Sequence, residues 1–217
     1  MLILALDTST SAGSVAILED SEVIGEIFLQ LKTTHSERVL STIDILLKYL
    51  NIEISDIDIF VAGIGPGSFT GIRIGISIIK GFAAVSHKST VGISSLDALA
   101  MEYKNSGDFY SFIEGRKDEV FIAKFRRHNN KIIEKLDDYK VAKKHTIKIN
   151  SNNSIGIFKD NYFSNLANKG NLFAHNFGIL GFYKYTQVEN SEILSCNNLI
   201  PLYLKKSDAE TNITKKL

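Results

Sequence analysis

Ala62-Gly63-Ile64-Gly65-Pro66-Gly67-Ser68-Phe69-Thr70-Gly71-Ile72-Arg73-Ile74-Gly75 is the stretch on which the reading of this chain turns. Five of its fourteen residues are Gly, with Pro66, Ser68 and Thr70 among them. A largely apolar run over 57–64 precedes it, and a long apolar helical pattern follows it. The order predicted is strand, glycine loop, helix N-terminus. Gly adopts backbone angles that other residues avoid, and it lets another backbone or a ligand approach closely. A helix N-terminus adds free N–H groups and the positive end of a dipole. Function is expected at or beside this junction.

The 217 residues admit one large domain or two small ones, and 44% apolar content is enough for a core. With 25 basic and 24 acidic residues the net charge is +1, which gives no electrostatic case for tight, direct nucleic-acid binding. The single Cys196 excludes an internal disulfide and an all-cysteine metal site. Met1 leads straight into an apolar run without a basic segment, so no signal peptide is expected. No apolar run approaches the roughly 18 residues that cross a bilayer. These signals predict a cytoplasmic protein with no membrane partner.

Residues 2–6 are continuously apolar and end at Asp7, the pattern of a strand buried on both faces. Residues 13–18 and 22–29 read as two further strands of an antiparallel meander. An amphipathic helix is predicted over 36–50, where Val39, Leu40, Ile43, Leu46, Leu47 and Leu50 recur at helical spacing. A strand at 59–63, a helix at 70–85, a strand at 90–93 and a helix from Ser95 to about residue 103 then alternate, so the later strands are expected to pair in parallel. Composition shifts at 104–108, which places the boundary between units 1–103 and 104–217. Beyond it, strands are predicted at 109–113, 120–126 and 131–141, with a turn at Asn129-Asn130. Short helices are predicted at 159–168 and 177–186, and a frayed tail from residue 209.

The helix at 70–85 is apolar on too many sides. Ile72, Ile76, Ile79 and Ala83 form one face, and Ile74, Ile78, Phe82 and Val85 another. A surface helix needs only one apolar stripe. Either the helix is wholly interior, or it packs on its own sheet and on another protein. Gly71 and Gly75, four apart, would let another helix approach closely on their side.

Four segments together resemble the TsaB (YeaZ) family of the actin-like ATPase superfamily. They are Leu4-Ala5-Leu6-Asp7-Thr8-Ser9-Thr10, His35-Ser36-Glu37-Arg38, the loop from Gly65 to Gly75, and Ser94-Ser95-Leu96-Asp97-Ala98-Leu99-Ala100. In the second half, Glu114-Gly115-Arg116 resembles a degraded form of the family's Asp-Ala-Arg, and Pro201-Leu202-Tyr203 its Pro-x-Tyr. The resemblance implies an α/β actin-like (ribonuclease-H-like) fold, with two subdomains that each hold a mixed sheet flanked by helices. It implies a non-catalytic scaffold for threonylcarbamoylation of adenosine 37 in tRNA. The implied partners are a TsaD-like catalytic subunit and a TsaE-like ATPase, with a homodimer in isolation and tRNA met only through the complex. The contact implied is built from the helices at 36–50 and 70–85, by Val39, Ile43, Leu47, Gly71, Ile74, Gly75, Ile78 and Phe82.

No catalytic residue is assigned. Two His at i, i+4 on one helix would suit a metal, but His35, His87, His128, His145 and His175 include no such pair, so no metal site is expected. Asp7, Thr8, Ser9 and Thr10 resemble the phosphate-contacting turn of actin-like ATPases, and equally suit an Asx or hydroxyl turn. No Lys follows the glycines as in a Walker motif, so no cofactor is expected beyond weak nucleotide contact or contact at a partner interface. Arg73, near a helix N-terminus, opposes the dipole and calls for a carboxylate or a phosphate. An actin-like kinase or ATPase, or a TsaD-like peptidase acting alone, is the alternative function.

Overall fold

The computed structural model describes residues 1–30, 38–129, 133–188 and 194–204. Strands β1 (Leu2–Asp7), β2 (Ala12–Glu19) and β3 (Glu22–Gln30) form the expected meander. Helix α1 (Val39–Leu50) crosses to β4 (Ile59–Gly65), and α2 (Phe69–Ser86) crosses to β5 (Ser89–Ser94). Both of these strands pair in parallel, which gives the sheet order β3-β2-β1-β4-β5. Side chains alternate along the central strands: Leu4, Leu6, Phe60 and Ala62 meet α1 and α2, whereas Ile3, Ala5, Ile59 and Val61 face the opposite side.

Helix α3 (Ser95–Ala100) leads into β6 (Gly107–Glu114), β7 (Glu119–Arg127), β8 (Ile133–Lys135), β9 (Lys140–Lys143), β10 (Ser154–Ile157) and β11 (Asn168–Lys169). The second sheet has the order β11-β10-β6-β7-β8, with β9 also on β7. It repeats the first sheet: β6 is antiparallel to β7 and parallel to β10, as β1 is to β2 and β4. This is the actin-like architecture with its two mixed sheets. No sequence period announces the duplication, because it lies in pairing rather than in residue identity.

Helix α4 (Ala174–Gln187) follows β11 and packs on the first sheet, while α3 packs on β6, β7 and β10 of the second. Each lobe therefore ends in a helix that lies on the other lobe's sheet. Gly178 and Gly181 make this possible for α4: a Cβ at either would press into Leu18 or Val61. A shared core results, joining Ile3, Val61, Leu96, Phe109, Phe125 and Phe177 across both lobes, with a separate apolar cluster on the outer face of each sheet. Each such side chain contributes about 1.5–3 kcal/mol by leaving water.

Several local expectations differ from the structure. The single strand expected over 131–141 is two short strands, β8 and β9, interrupted at Asp137, whose carboxylate accepts hydrogen bonds from Asp138 N and Lys140 Nζ. The helix expected at 159–168 is one 3-10 turn, Asn161–Phe163, capped by Asp160. It covers the outer face of the second sheet with Phe158, Phe163 and Ala167 around Phe112. The helix expected from Ser95 stops at Ala100. Helix α2 is longer than expected and, by length and composition, apolar enough to cross a membrane. It nevertheless buries Ile72, Ile76, Ile79 and Ala83 against the sheet.

Candidate functional site

The glycine loop does meet a close neighbour, and the neighbour is the chain's own β1–β2 turn. A Cβ at Gly63 would collide with the Asp7 carboxylate, at Gly67 with the Ser9 carbonyl, at Gly71 with the Thr8 carbonyl and at Gly75 with the Thr8 hydroxyl. Ser68 N donates to Ser9 O at 2.6 Å, and Thr8 Oγ1 donates to Gly71 O at 2.7 Å. Ser68 Oγ caps α2 by accepting from Gly71 N at 3.2 Å. The neighbour at Gly71 and Gly75 is thus Thr8 of the chain's own turn and not the second helix expected there.

Asp7, Thr8 and Ser9 are each only 1% exposed. Asp7 Oδ2 accepts from Ser9 N at 3.3 Å and from Ser9 Oγ at 3.1 Å, and Ser95 Oγ donates to Ser9 Oγ at 3.0 Å. Asp7 Oδ1 is buried without a hydrogen-bond partner. The Phe177 ring of α4 closes the same space over Gly63. Burial pushes the Asp7 carboxyl up to about 7, against the pull of the Ser9 and Thr8 hydrogen bonds. Thr10 Oγ1 forms a local turn with Ala12 N and O. The Thr8 hydroxyl is therefore spent on α2 and the Ser9 and Thr10 hydroxyls on the turn, and Asp7 would have to leave its packing to reach a phosphate-bound cation.

Glu114 ends β6 as Asp7 ends β1. Its Oε1 accepts from Lys144 Nζ at 2.8 Å, and its Oε2 accepts from Lys159 N and Asp160 N at 2.6 and 3.2 Å. Lys144 Nζ also donates to Asp160 Oδ2 at 2.7 Å. Burial works to raise the Glu114 carboxyl, but Lys144 and the two N–H groups outweigh it and hold it below its usual range. Among the described residues no three His, Cys, Asp or Glu side chains converge as metal ligands.

Several exposed large apolar side chains lie on the α1–α2 side of the first sheet. Val39, Ile43 and Leu47, expected at a partner contact, are buried in the chain's own core, because they form the stripe of α1 that faces the sheet. Ile74, Ile78 and Phe82 are half-buried, with Phe82 stacked on Phe60 at 6.0 Å. The exposed apolar residues are others: Leu40 and Ile45 on α1 are more than half exposed, Tyr49 on α1 is 88% exposed, and Val85 on α2 is 84% exposed. Thr70, Arg73, Ser77, Gly81 and Ala84 complete the outer strip of α2, and a Cβ at Gly81 would meet nothing.

Among the described residues no carboxylate reaches Arg73. Its guanidinium carbon lies 3.8 Å from the Phe69 ring centroid, and its Nε donates to Tyr203 Oη at 2.8 Å. Tyr203 stacks on Phe69 at 5.0 Å, and Leu202 N donates to Ile64 O at 2.8 Å, tying this segment to the glycine loop. The Pro201-Leu202-Tyr203 motif was the only sequence signal for this clamp. His35, Ser36 and Glu37 lie outside the described residues. The first described residue of that motif, Arg38, precedes α1 without a side-chain cap.

A family model described as TsaD, tRNA N6-adenosine threonylcarbamoyltransferase, matches residues 22–184. The tRNA threonylcarbamoyladenosine biosynthesis protein TsaB of Escherichia coli (strain K12) is 36% identical over 135 residues, 61% of this chain and 58% of that protein. The protein of the same name from Bacillus subtilis (strain 168) is 31% identical over 142 residues, 65% of this chain and 62% of that protein. The chain thus spans 58% and 62% of these relatives' lengths. Among solved structures, YeaZ from Pseudomonas aeruginosa superposes with a TM-score of 0.77 at 22% identity, covering 94% of this chain and 99% of that one. On the family match and these relatives, the chain belongs to the TsaB (YeaZ) family, within the wider family of the threonylcarbamoyltransferase TsaD.

Proposed function

We propose that this chain is a non-catalytic scaffold subunit for threonylcarbamoylation of adenosine 37 in tRNAs that read codons beginning with A. It acts in the cytoplasm by dimerising with a TsaD-like catalytic subunit, and a TsaE-like ATPase joins the pair. The observation that carries this reading is the apolar face of α1 and α2, where Tyr49 and Val85 are 88% and 84% exposed. Side chains of this size and exposure, on two helices over the same side of one sheet, suit a docking surface. In isolation the same face supports a homodimer. The packing of Asp7 beneath Gly63 and Phe177 supports a structural rather than a catalytic use of the β1–β2 turn, with no cofactor of its own. The net charge of +1 supports tRNA being met through the assembly rather than by this subunit alone.

The test has two parts. Mixing the chain with a TsaD-like subunit should give a heterodimer mass by light scattering. Cells depleted of the chain should lose the threonylcarbamoyl mark from digested tRNA by mass spectrometry and regain it with Asp7→Asn. Persistent separation of the two proteins, or a mark that survives depletion, refutes the proposal. The second reading, a kinase, ATPase or peptidase acting alone, draws on the place of Asp7 at the end of β1. Turnover by the isolated chain that Asp7→Ala abolishes would establish it instead.

A further inference from the structure

Arg73 is the fifth residue of α2, and among the described residues no carboxylate pairs with it. Stacking on Phe69 at 3.8 Å and the 2.8 Å hydrogen bond to Tyr203 Oη hold it in place. Such a brace removes side-chain freedom in advance, which lowers the cost of a later contact. Only Nε is spent; the remaining N–H groups of the fork have no acceptor among the described residues, and the residue is exposed. Arg73 shares the outer strip of α2 with Thr70, Ser77, Gly81 and Ala84, whose small side chains let another backbone come near.

We propose that Arg73, braced by Phe69 and Tyr203, is the charge-selecting anchor of the α1–α2 face and pairs with a carboxylate of the protein docked there. This rests on the docking reading above and specifies its chemistry. A protein carboxylate fits better than a phosphate backbone. A polyanion calls for several cations, whereas along the outer strip of α2 Arg73 is the one cation, set among Thr70, Ser77, Gly81 and Ala84. A single fork on a strip of small side chains suits one bidentate carboxylate.

The experiment measures the dissociation constant between the chain and the TsaD-like subunit by calorimetry across a salt series. Wild type, Arg73→Gln, Arg73→Leu, Tyr203→Phe and Val85→Glu are compared, each checked for an intact melting transition. Two Arg73 variants are made so that a folding failure in one leaves the other informative. The wild-type constant should weaken with salt. Both Arg73 variants should bind ~10–100-fold more weakly, the scale of a lost charge-assisted pair, and lose much of that salt dependence. Tyr203→Phe, which keeps the stack and frees Nε, should fall between. If the Arg73 variants match wild type while Val85→Glu abolishes association, the anchor is wrong and the docking face stands. If Val85→Glu also binds normally, the docking face falls and the anchor with it. If the Arg73 variants keep the protein–protein constant but weaken tRNA binding by the assembled pair, the ligand is a phosphate and the proposal is overturned.

Discussion

Replacing Asp7 by Asn should make the protein relatively more stable as pH rises. In the folded chain the Asp7 carboxyl is pushed from 3.8 to about 7, chiefly by burial. The unfolded chain ionises it near the lower value. Below that value both states are protonated and the residue costs nothing. Between the two values the unfolded state loses a proton that the folded state keeps, so stability falls with rising pH at about 1.4 kcal/mol per unit. Above about 7 the loss is complete and levels off, at about 4 kcal/mol. Asn cannot ionise and can keep the Ser9 contacts through its Oδ1. It brings its own fixed cost of about 1–3 kcal/mol, because its amide donor replaces an oxygen that already lacks a partner. That cost does not depend on pH. The difference between Asp7→Asn and wild type should therefore move in favour of the variant by about 3 kcal/mol between pH 5 and pH 8. Urea unfolding at pH 5, 6, 7 and 8, followed by circular dichroism, reads it directly. Two stability curves that run parallel across this range, within about 0.5 kcal/mol, would refute the buried, proton-holding carboxyl.

Three further outcomes follow from the same geometry. Gly71→Ala places a methyl against the Thr8 carbonyl, where backbone rather than a flexible tip must yield; a loss of about 3 kcal/mol or more is expected in urea midpoints, and a neutral result would sink the loop-on-turn packing. Lys144→Met leaves Glu114 and Asp160 without their shared cation; because Lys144 and Glu114 side chains are only 12% and 15% exposed, about 2–4 kcal/mol should be lost, seen as a lower melting temperature. Glu26 raises the pKa of His175 through their 2.8 Å contact, so this pair stabilises the fold below the unfolded His value and loses that contribution as pH rises through the raised one. Glu26→Gln should flatten stability between about pH 6 and pH 8, and an unchanged slope would remove the pair from the account.

The first lobe was legible because its signals are local. Alternation along the residues of β1 and β4, helical spacing in α1 and the two faces of α2 each follow from a period in the sequence. Ile72, Ile76, Ile79 and Ala83 are buried as that spacing required, and Val85 on the other face is exposed. The second lobe was less legible because its crossovers are turns: a one-turn segment such as Asn161–Phe163 is too short to carry a period. The course of α4 onto the first sheet was invisible for a different reason. Its Gly178 and Gly181 fit Leu18 and Val61, residues far away in the chain, and a sequence does not display that distance. The role of the glycine loop was half legible. Close approach was foreseen, but Thr8 and Ser9 as the approaching group could be found only in three dimensions.

The duplicated topology sharpens the meaning of the two acidic residues. Asp7 and Glu114 end corresponding strands, β1 and β6, on sheets of the same order. A carboxylate that holds a phosphate-bound cation needs a free oxygen for it. Here each is taken out of play by a different physical device. Asp7 is buried beneath Gly63 and Phe177 and holds a proton up to about pH 7. Glu114 stays charged but spends both oxygens on Lys144, Lys159 N and Asp160 N. Binding a phosphate-held cation at these two residues would require opening both, one by moving α4 and the other by removing Lys144. Neither Asp7→Ala nor Lys144→Met alone should therefore create or abolish nucleotide turnover in the isolated chain. A phosphate-release assay in which either single change switches hydrolysis on or off would show that the two strand ends act independently, and that the scaffold reading is wrong.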